Sequence, residues 1–341
     1  MSEIVIKNIV KEWPGVRAVD NVSFKVEEST FTILLGPSGC GKSTILRMIA
    51  GLESVTSGSI HINGEDITKT DPSNRGISMV FQSYALFPHL NVKENILFGL
   101  KVRKAPRKLQ RIRLQEAVEM VGLSEYLERK PAQLSGGQRQ RVALARTIVS
   151  GQSICLMDEP LSNLDAKLRA EMRDEIKSLQ QQLGLTVLFV THDQTEAMTM
   201  ADQIILLKDG RIEQSGTPYD LYSSPSSIFA ARFIGSPPMN IISPGDLGVV
   251  TKSNAGNGKV LLGLRPEVIA VGDNTIKGPE MEVAGLDYLG SETLVHLVRG
   301  ESRLIAKLSG ECELKENETV KIHWPASAEH YFNHNEIRPG Q

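Results

Sequence analysis

The chain has 341 residues, enough for two domains, and its balance of 40% hydrophobic and 23% charged residues is that of a globular protein. A formal net charge of -2 gives no global basic field for nucleic acid. No apolar run approaches a membrane span, the start MSEIVIKN lacks a signal-peptide core, and Cys40, Cys155 and Cys312 have no metal-ligand spacing and read as reduced thiols.

In chain order, β-prone runs around 4–10 and 22–26, and Ser59–Ile62 ahead of the hairpin signal Asn63-Gly64, predict antiparallel strands. Phe31–Leu35 is a short apolar strand. It leads into GPSGCGKST, Gly36 to Thr44, and then into a helix with Ile45, Leu46, Ile49 and Ala50 on its apolar side. Strand, glycine-rich turn and helix are the context a phosphate-binding loop requires. Gly36, Gly39 and Gly41 let the backbone approach an anion, and the amides from Ser38 through Cys40 to Thr44 face it at a helix N-terminus. Lys42 is expected to reach the β- and γ-phosphates, Ser43 to ligate Mg²⁺, and Thr44 to lie near the α-phosphate. Kinases, GTPases, helicases, repair proteins and transporters all use such a loop, so it does not choose among them.

Residues 93–150 read as a mostly helical subdomain that includes Leu134-Ser135-Gly136-Gly137-Gln138. Ser135 can cap a helix, and the two glycines expose backbone N–H groups. This is a second anion site, without a lysine, and it points to a nucleotide shared between two copies. Further strands are expected at 154–157, 186–190 and 204–207, and their alternation with helices predicts a largely parallel sheet. The breaker cluster Gly235-Ser236-Pro237-Pro238 marks a boundary, dividing the chain into 1–235 and 236–341. Beyond it, short β segments at 260–264, 281–286, 293–298, 303–308 and 319–324 predict a small barrel or sandwich. That tail carries 10 Lys and Arg against 14 Asp and Glu, a net of -4, which argues against a nucleic-acid groove.

With LSGGQ beside the phosphate loop, the sequence resembles the ATP-binding cassette (ABC) family. The resemblance implies an α/β P-loop nucleotide-binding domain with a helical subdomain, followed by an all-β, OB-like regulatory domain. The other motifs match in the family's order. Asp158, ending Ile154–Asp158, matches the Mg²⁺ carboxylate, and Glu159 matches the catalytic carboxylate that polarises water. Asp165 matches the loop that communicates across the dimer, and His192 the switch that contacts the γ-phosphate. Gln82 matches the glutamine that senses Mg²⁺ and the partner interface. Trp13 matches the adenine-stacking ring, with core packing as the competing reading. Ser135, Gly136, Gly137 and Gln138 match the signature that contacts the ATP of a second subunit.

The resemblance therefore implies a head-to-tail homodimer around two ATP. Within the family, the sequence resembles the ATPases of carbohydrate-uptake importers, of the maltose and glycerol-3-phosphate type. Such a subunit sits at the cytoplasmic face of the cell membrane on two transmembrane permease subunits, with a solute-binding protein acting indirectly and no nucleic acid. ATPases for polyamine, iron or sulfate share the arrangement. The lack of an Asn-Lys-x-Asp segment argues against a GTPase. A chromosome-organising type would need a long coiled coil, and only roughly 90 residues separate loop and signature. Ser83–His89 is expected to leave an apolar surface for a permease helix, and the basic stretch Lys101–Arg113 to face solvent, lipid headgroups or the permease. The tail either pairs two copies or binds a regulator.

Overall fold

A computed structural model describes residues 2–248, 260–272 and 278–333, which form two compact units, Met1–Pro218 and Tyr219–Gln341. The division falls ahead of the breaker cluster at 235, because the short helices before that cluster pack with the second unit.

The first unit opens with strands β1 (Ile4–Trp13) and β2 (Val16–Val26), paired antiparallel. β3 (Phe31–Leu35) runs into helix α1 (Lys42–Ala50). β4 (Ser57–Ile62) and β5 (Glu65–Asp66) close on Asn63-Gly64, both at positive φ, the two-residue hairpin that Asn-Gly favours. β4 also pairs with β1, giving an antiparallel sheet in the order β2-β1-β4-β5. β6 (Ile77–Val80) precedes the helical layer of α2 (Val92–Val102), α3 (Arg107–Met120) and α4 (Gly136–Ser150). β7 (Ile154–Asp158), α5 (Ala166–Leu183), β8 (Thr186–Thr191), α6 (Gln194–Met200), β9 (Gln203–Lys208) and β10 (Arg211–Gly216) complete it.

The second sheet has the order β10-β9-β3-β8-β7-β6, and β9, β3, β8, β7 and β6 run parallel. Every residue of β3, β7 and β8 is buried, which explains their unbroken apolar runs: both faces of a parallel sheet are covered. Phe31 and Phe189 meet at 5.6 Å between ring centroids on neighbouring strands. Leu34, Ile45, Leu46, Ile49, Leu156 and Val190 belong to one core between this sheet, α1 and the antiparallel sheet. Each such side chain contributes about 1.5–3 kcal/mol by leaving water. That core fixes the strand that launches the phosphate loop.

Strand β6 and the antiparallel edge β10 escaped the sequence reading. β6 is four residues long and only partly buried, so it lacks the apolar run that marks its neighbours.

The second unit carries α7 (Pro218–Ser223), α8 (Ile228–Phe233), β11 (Asn240–Ile242), β12 (Leu261–Leu264), β13 (Ala270–Gly272), β14 (Glu280–Tyr288), β15 (Glu292–Arg299), β16 (Ser302–Ser309), β17 (Thr319–His323) and β18 (His330–Phe332). They form sheets in the orders β11-β12-β18 and β13-β17-β14-β15-β16. The alternation of buried and open residues along β15 is that of a sheet with one covered face. Buried Arg265 donates to the carbonyls of Ala231, Ile234 and Tyr222 and lies over the Tyr222 ring, tying α8 to the sheet. Burial holds its guanidinium below the usual arginine range.

Candidate functional site

Because β3, β8, β7 and β6 are consecutive parallel neighbours, their carboxyl ends share one edge. Ligands of open α/β sheets bind at such an edge. Each strand delivers a piece of the predicted site there: the phosphate loop after β3, His192 after β8, Asp158 and Glu159 at β7, and Gln82 after β6.

The loop is shaped by glycine where nothing else fits. Gly41 has φ +101, and a Cβ on it would lie 2.6 Å from the Ala18 carbonyl oxygen. Gly36 is crowded in the same way by the Leu207 carbonyl. Helix α1 therefore begins with Gly41 as its N-cap and no side-chain cap, so its first-turn amides stay available to an anion. Lys42, 5% exposed, folds back along the loop and donates to the carbonyls of Gly36 at 2.8 Å and Pro37 at 2.7 Å. Ser43 Oγ donates to Asp158 Oδ1 at 2.7 Å, joining β3's loop to the end of β7.

Glu159 sits at φ +44, a conformation that costs a non-glycine residue on the order of 1 kcal/mol. The turn is held from both sides. Its N–H donates to Val190 O at 3.1 Å, and its carbonyl accepts from Ser162 Oγ at 2.9 Å. The result aims the carboxylate at the next strand, where Glu159 Oε2 lies 3.3 Å from His192 Nδ1. Gln82 joins the same group through Ser162, donating from Nε2 to Ser162 Oγ at 3.3 Å, while Asn163 donates to the Gln82 carbonyl at 2.9 Å.

The signature lies elsewhere. Ser135 caps α4 in a full capping box: its Oγ accepts from Gln138 N–H at 3.2 Å and its own N–H donates to Gln138 Oε1 at 2.9 Å. Among the described residues, no hydrogen bond or ion pair joins 135–138 to the phosphate loop. Gly136 and Gly137 instead pack on Leu164, in the turn that follows Glu159, and on Leu168 in the first turn of α5, which added Cβ atoms would meet at 3.2 Å and 2.9 Å. Asp165 caps α5 by accepting from Leu168 N–H at 3.0 Å. Trp13 ends β1, 42% exposed, with Lys11 Nζ 5.3 Å from its ring centre; it is not a core side chain.

Two residues of this neighbourhood were not singled out from sequence. Arg169 donates to Leu164 O at 3.0 Å and pairs with Asp193 at 3.3 Å, so it links the residue before Asp165 to the residue after His192. Arg75 donates to Met48 O and Ile49 O, both at 2.9 Å, and so caps the carboxyl end of α1. An arginine directly after a proline-led turn gives no sequence signal of that role. Beyond Gln82, fully buried Asn95 and half-buried Arg146 pin the loop, with Arg146 donating to Ala85 O at 2.6 Å and the tilted rings of Phe87 and Phe98 4.3 Å apart.

The cysteines are free thiols. Burial pushes Cys155 up to about 12 and Cys40 upward as well, against the pull of Lys42. Neither carries a nucleophilic thiolate at neutral pH.

Ser43 Oγ beside the Asp158 carboxylate is a hard-oxygen pair, and among the described residues no cluster of three or more His, Cys, Asp and Glu side chains could hold a metal alone. The donors suit a cation that completes its shell with phosphate and water, as Mg²⁺ does.

The geometry defines a P-loop nucleoside-triphosphate site on a cassette ATPase fold. Comparison with known proteins agrees: residues 19–162 match the ABC transporter family and residues 262–332 match the TOBE domain. The sn-glycerol-3-phosphate import ATP-binding protein UgpC of Brucella abortus is 45% identical, with 97% of each chain covered. UgpC of Ruegeria sp. is 49% identical over 87% of this chain and 86% of its own. A dimeric structure of a bacterial ABC transporter cassette is 34% identical over 63% of this chain and 98% of its own, with a TM-score of 0.57. A dimeric post-hydrolysis state of an ATP-binding cassette with ADP and Pi gives 33% and 0.56. The chain belongs to the ABC transporter ATPases that carry a TOBE domain.

Proposed function

We propose that this ATPase energises uptake of sn-glycerol-3-phosphate or a similar sugar-phosphate solute, working as a head-to-tail homodimer on two transmembrane permease subunits at the cytoplasmic face of the membrane. A solute-binding protein would deliver cargo on the far side. Full-length likeness to import ATPases named for that solute supports the cargo. No helix among the described residues is long and apolar enough to cross a membrane.

The observation that carries the catalytic reading is the four-strand convergence of loop, Asp158, Glu159, His192 and Gln82. Lys42 exchanges its carbonyl partners for the β- and γ-phosphates of ATP. The amides of 38–44 cradle the remaining oxygens, and Trp13 stacks on adenine. Ser43, Asp158 and Gln82 would hold Mg²⁺, which neutralises phosphate charge. Glu159 polarises the attacking water, and His192, aligned by that carboxylate, contacts the γ-phosphate. The signature of a second copy, Ser135 to Gln138, closes on the same phosphate, with Asp165 reporting across the interface. Such positioning and electrostatic stabilisation are what phosphoryl transfer demands.

Two measurements test this. Purification from detergent-solubilised membranes should recover two multispanning permeases; recovery only from the soluble fraction, with nucleic acid or ribosomes, overturns the transport role. Glu159→Gln should lower hydrolysis roughly 10²–10⁴-fold and trap an ATP-bound dimer in size-exclusion chromatography. Rapid turnover by that variant removes Glu159 from its role.

A further inference from the structure

Three of the eleven exposed large apolar side chains among the described residues, Val102, Leu109 and Ile112, lie together at the end of α2 and in the first half of α3. Val102 is 66% exposed. Scattered exposed apolar residues need no explanation, but a concentration rimmed by charge marks an interaction surface. The rim here has one sign. From Lys101 to Gln115 there are seven basic residues and no acidic one.

Two of the seven are used by the fold. Arg113 donates to the carbonyls of Val149 and Ser150 at the end of α4, and Arg103 donates to the side-chain oxygen of Gln152. Lys101, Lys104, Arg107, Lys108 and Arg111 have no ion-pair or hydrogen-bond partner among the described residues. On α3 the inner face is Leu114, Ala117 and Val118, while Leu109 and Ile112 face outward one turn apart beside Lys108 and Arg111. The acidic residues of that helix, Glu116 and Glu119, begin where the basic stretch ends.

We infer that this tip, the end of α2 with the first half of α3, rests on the anionic headgroups of the membrane that holds the permease. Clustered Lys and Arg around exposed aliphatic side chains is the pattern of an interfacial, headgroup-level contact. Three of the five unpaired cations are lysines, a residue depleted from protein–protein interfaces. Val102, Leu109 and Ile112 are also distinct from the Ser83–His89 loop, whose half-buried Phe87 packs against Phe98 and lies under Arg146. The inference rests on the proposed membrane placement but is tested apart from it.

The test is co-sedimentation of the full chain with phosphatidylcholine vesicles, with or without about 30% phosphatidylglycerol. At low salt, binding to the anionic vesicles should be about tenfold stronger and should fall steeply as ionic strength rises. The triple variant Lys104→Glu, Lys108→Glu, Arg111→Glu should lose the preference and keep its ATP hydrolysis in solution. Equal binding to both vesicles, or an unaffected triple variant, overturns the inference. A triple variant that instead loses the permeases in detergent, with no vesicle preference in the parent, assigns the tip to a protein contact. Permease recovery by a chain that ignores anionic vesicles sinks only this inference; anionic-vesicle binding without any permease sinks only the transport reading.

Discussion

Helices α1 and α4 both begin at glycines, yet their first turns are built in opposite ways. α1 starts from left-handed Gly41 with no side-chain cap, under a lysine buried against the loop. α4 starts from Ser135, and Ser135 and Gln138 cap each other fully. The first start faces Asp158 and, across the strand edge, Glu159 and His192; the second is joined by no hydrogen bond or ion pair to the phosphate loop and packs on Leu164 and Leu168. An uncapped start with its own cation can hold an anion alone. A capped start without one contributes amides only when another molecule brings the phosphate to it. One chain thus carries two halves of different kinds, which is the chemistry expected of a site completed by a second copy.

The strongest way to break that comparison is to disable each half separately. Lys42→Ala removes the cation of the first start. ATP hydrolysis should fall roughly 10²–10³-fold, and nucleotide binding by the single chain should weaken with it. Gly136→Asp puts an anion at the second start. A carboxylate in the first turn favours the helix and offsets the crowding of the new Cβ against Leu164, so stability should change by less than about 1 kcal/mol. It also repels the incoming phosphate, so hydrolysis and ATP-driven dimerisation should fall roughly 10²-fold while ATP affinity of the monomer stays within about threefold. Calorimetry on dilute protein separates the two. Equal loss of monomer affinity in both variants would mean that the two starts serve one site within one chain.

A finer test concerns what links the halves. Leu164 touches the Gly136 position, and Arg169 binds the Leu164 carbonyl and Asp193, next to His192. Arg169→Ala should lower kcat about tenfold with little change in KM for ATP, since a small displacement of His192 costs rate rather than binding. Asp165→Ala and the double variant should then be non-additive in kcat, measured as a double-mutant cycle. Additive losses would mean that Arg169 only supports the helix.

Much of this was legible beforehand because it depends on local pattern. The all-buried strands read as apolar runs, Asn63-Gly64 read as a hairpin, and GPSGCGKST carries its own geometry. What stayed hidden was non-local. β6 is too short and too open to show a run, so the strand that delivers Gln82 was missed. Arg75 and Ser162 act on elements distant in sequence, and Arg75 and Arg169 act through carbonyl oxygens, where a backbone acceptor leaves no residue type to read. The start of the second unit was shifted for the same reason: α8 belongs with the core of Met239 and Phe332, a contact that no breaker residue announces.

The smallest effect probes the turn behind His192. Glu196 is buried and accepts from Thr191 Oγ1 at 2.5 Å, and its carboxyl is held above the usual range chiefly by that burial, with Asp193 adding to it and Thr191, Arg169 and Arg173 opposing. A raised folded pKa means that the folded state binds the proton more tightly than the unfolded chain. This contribution is fully present below the unfolded carboxylate value, about 4.3, and is lost as pH rises through the folded one. Glu196→Gln keeps an oxygen for Thr191 and cannot ionise. The parent should therefore lose stability relative to the variant as pH rises from about 4 to 8, and the two should converge at the acid end. Urea midpoints taken across that range isolate the residue, because every other carboxylate is common to both proteins. Parallel curves would mean that the Glu196 carboxyl is as well solvated in the native turn as in the unfolded chain.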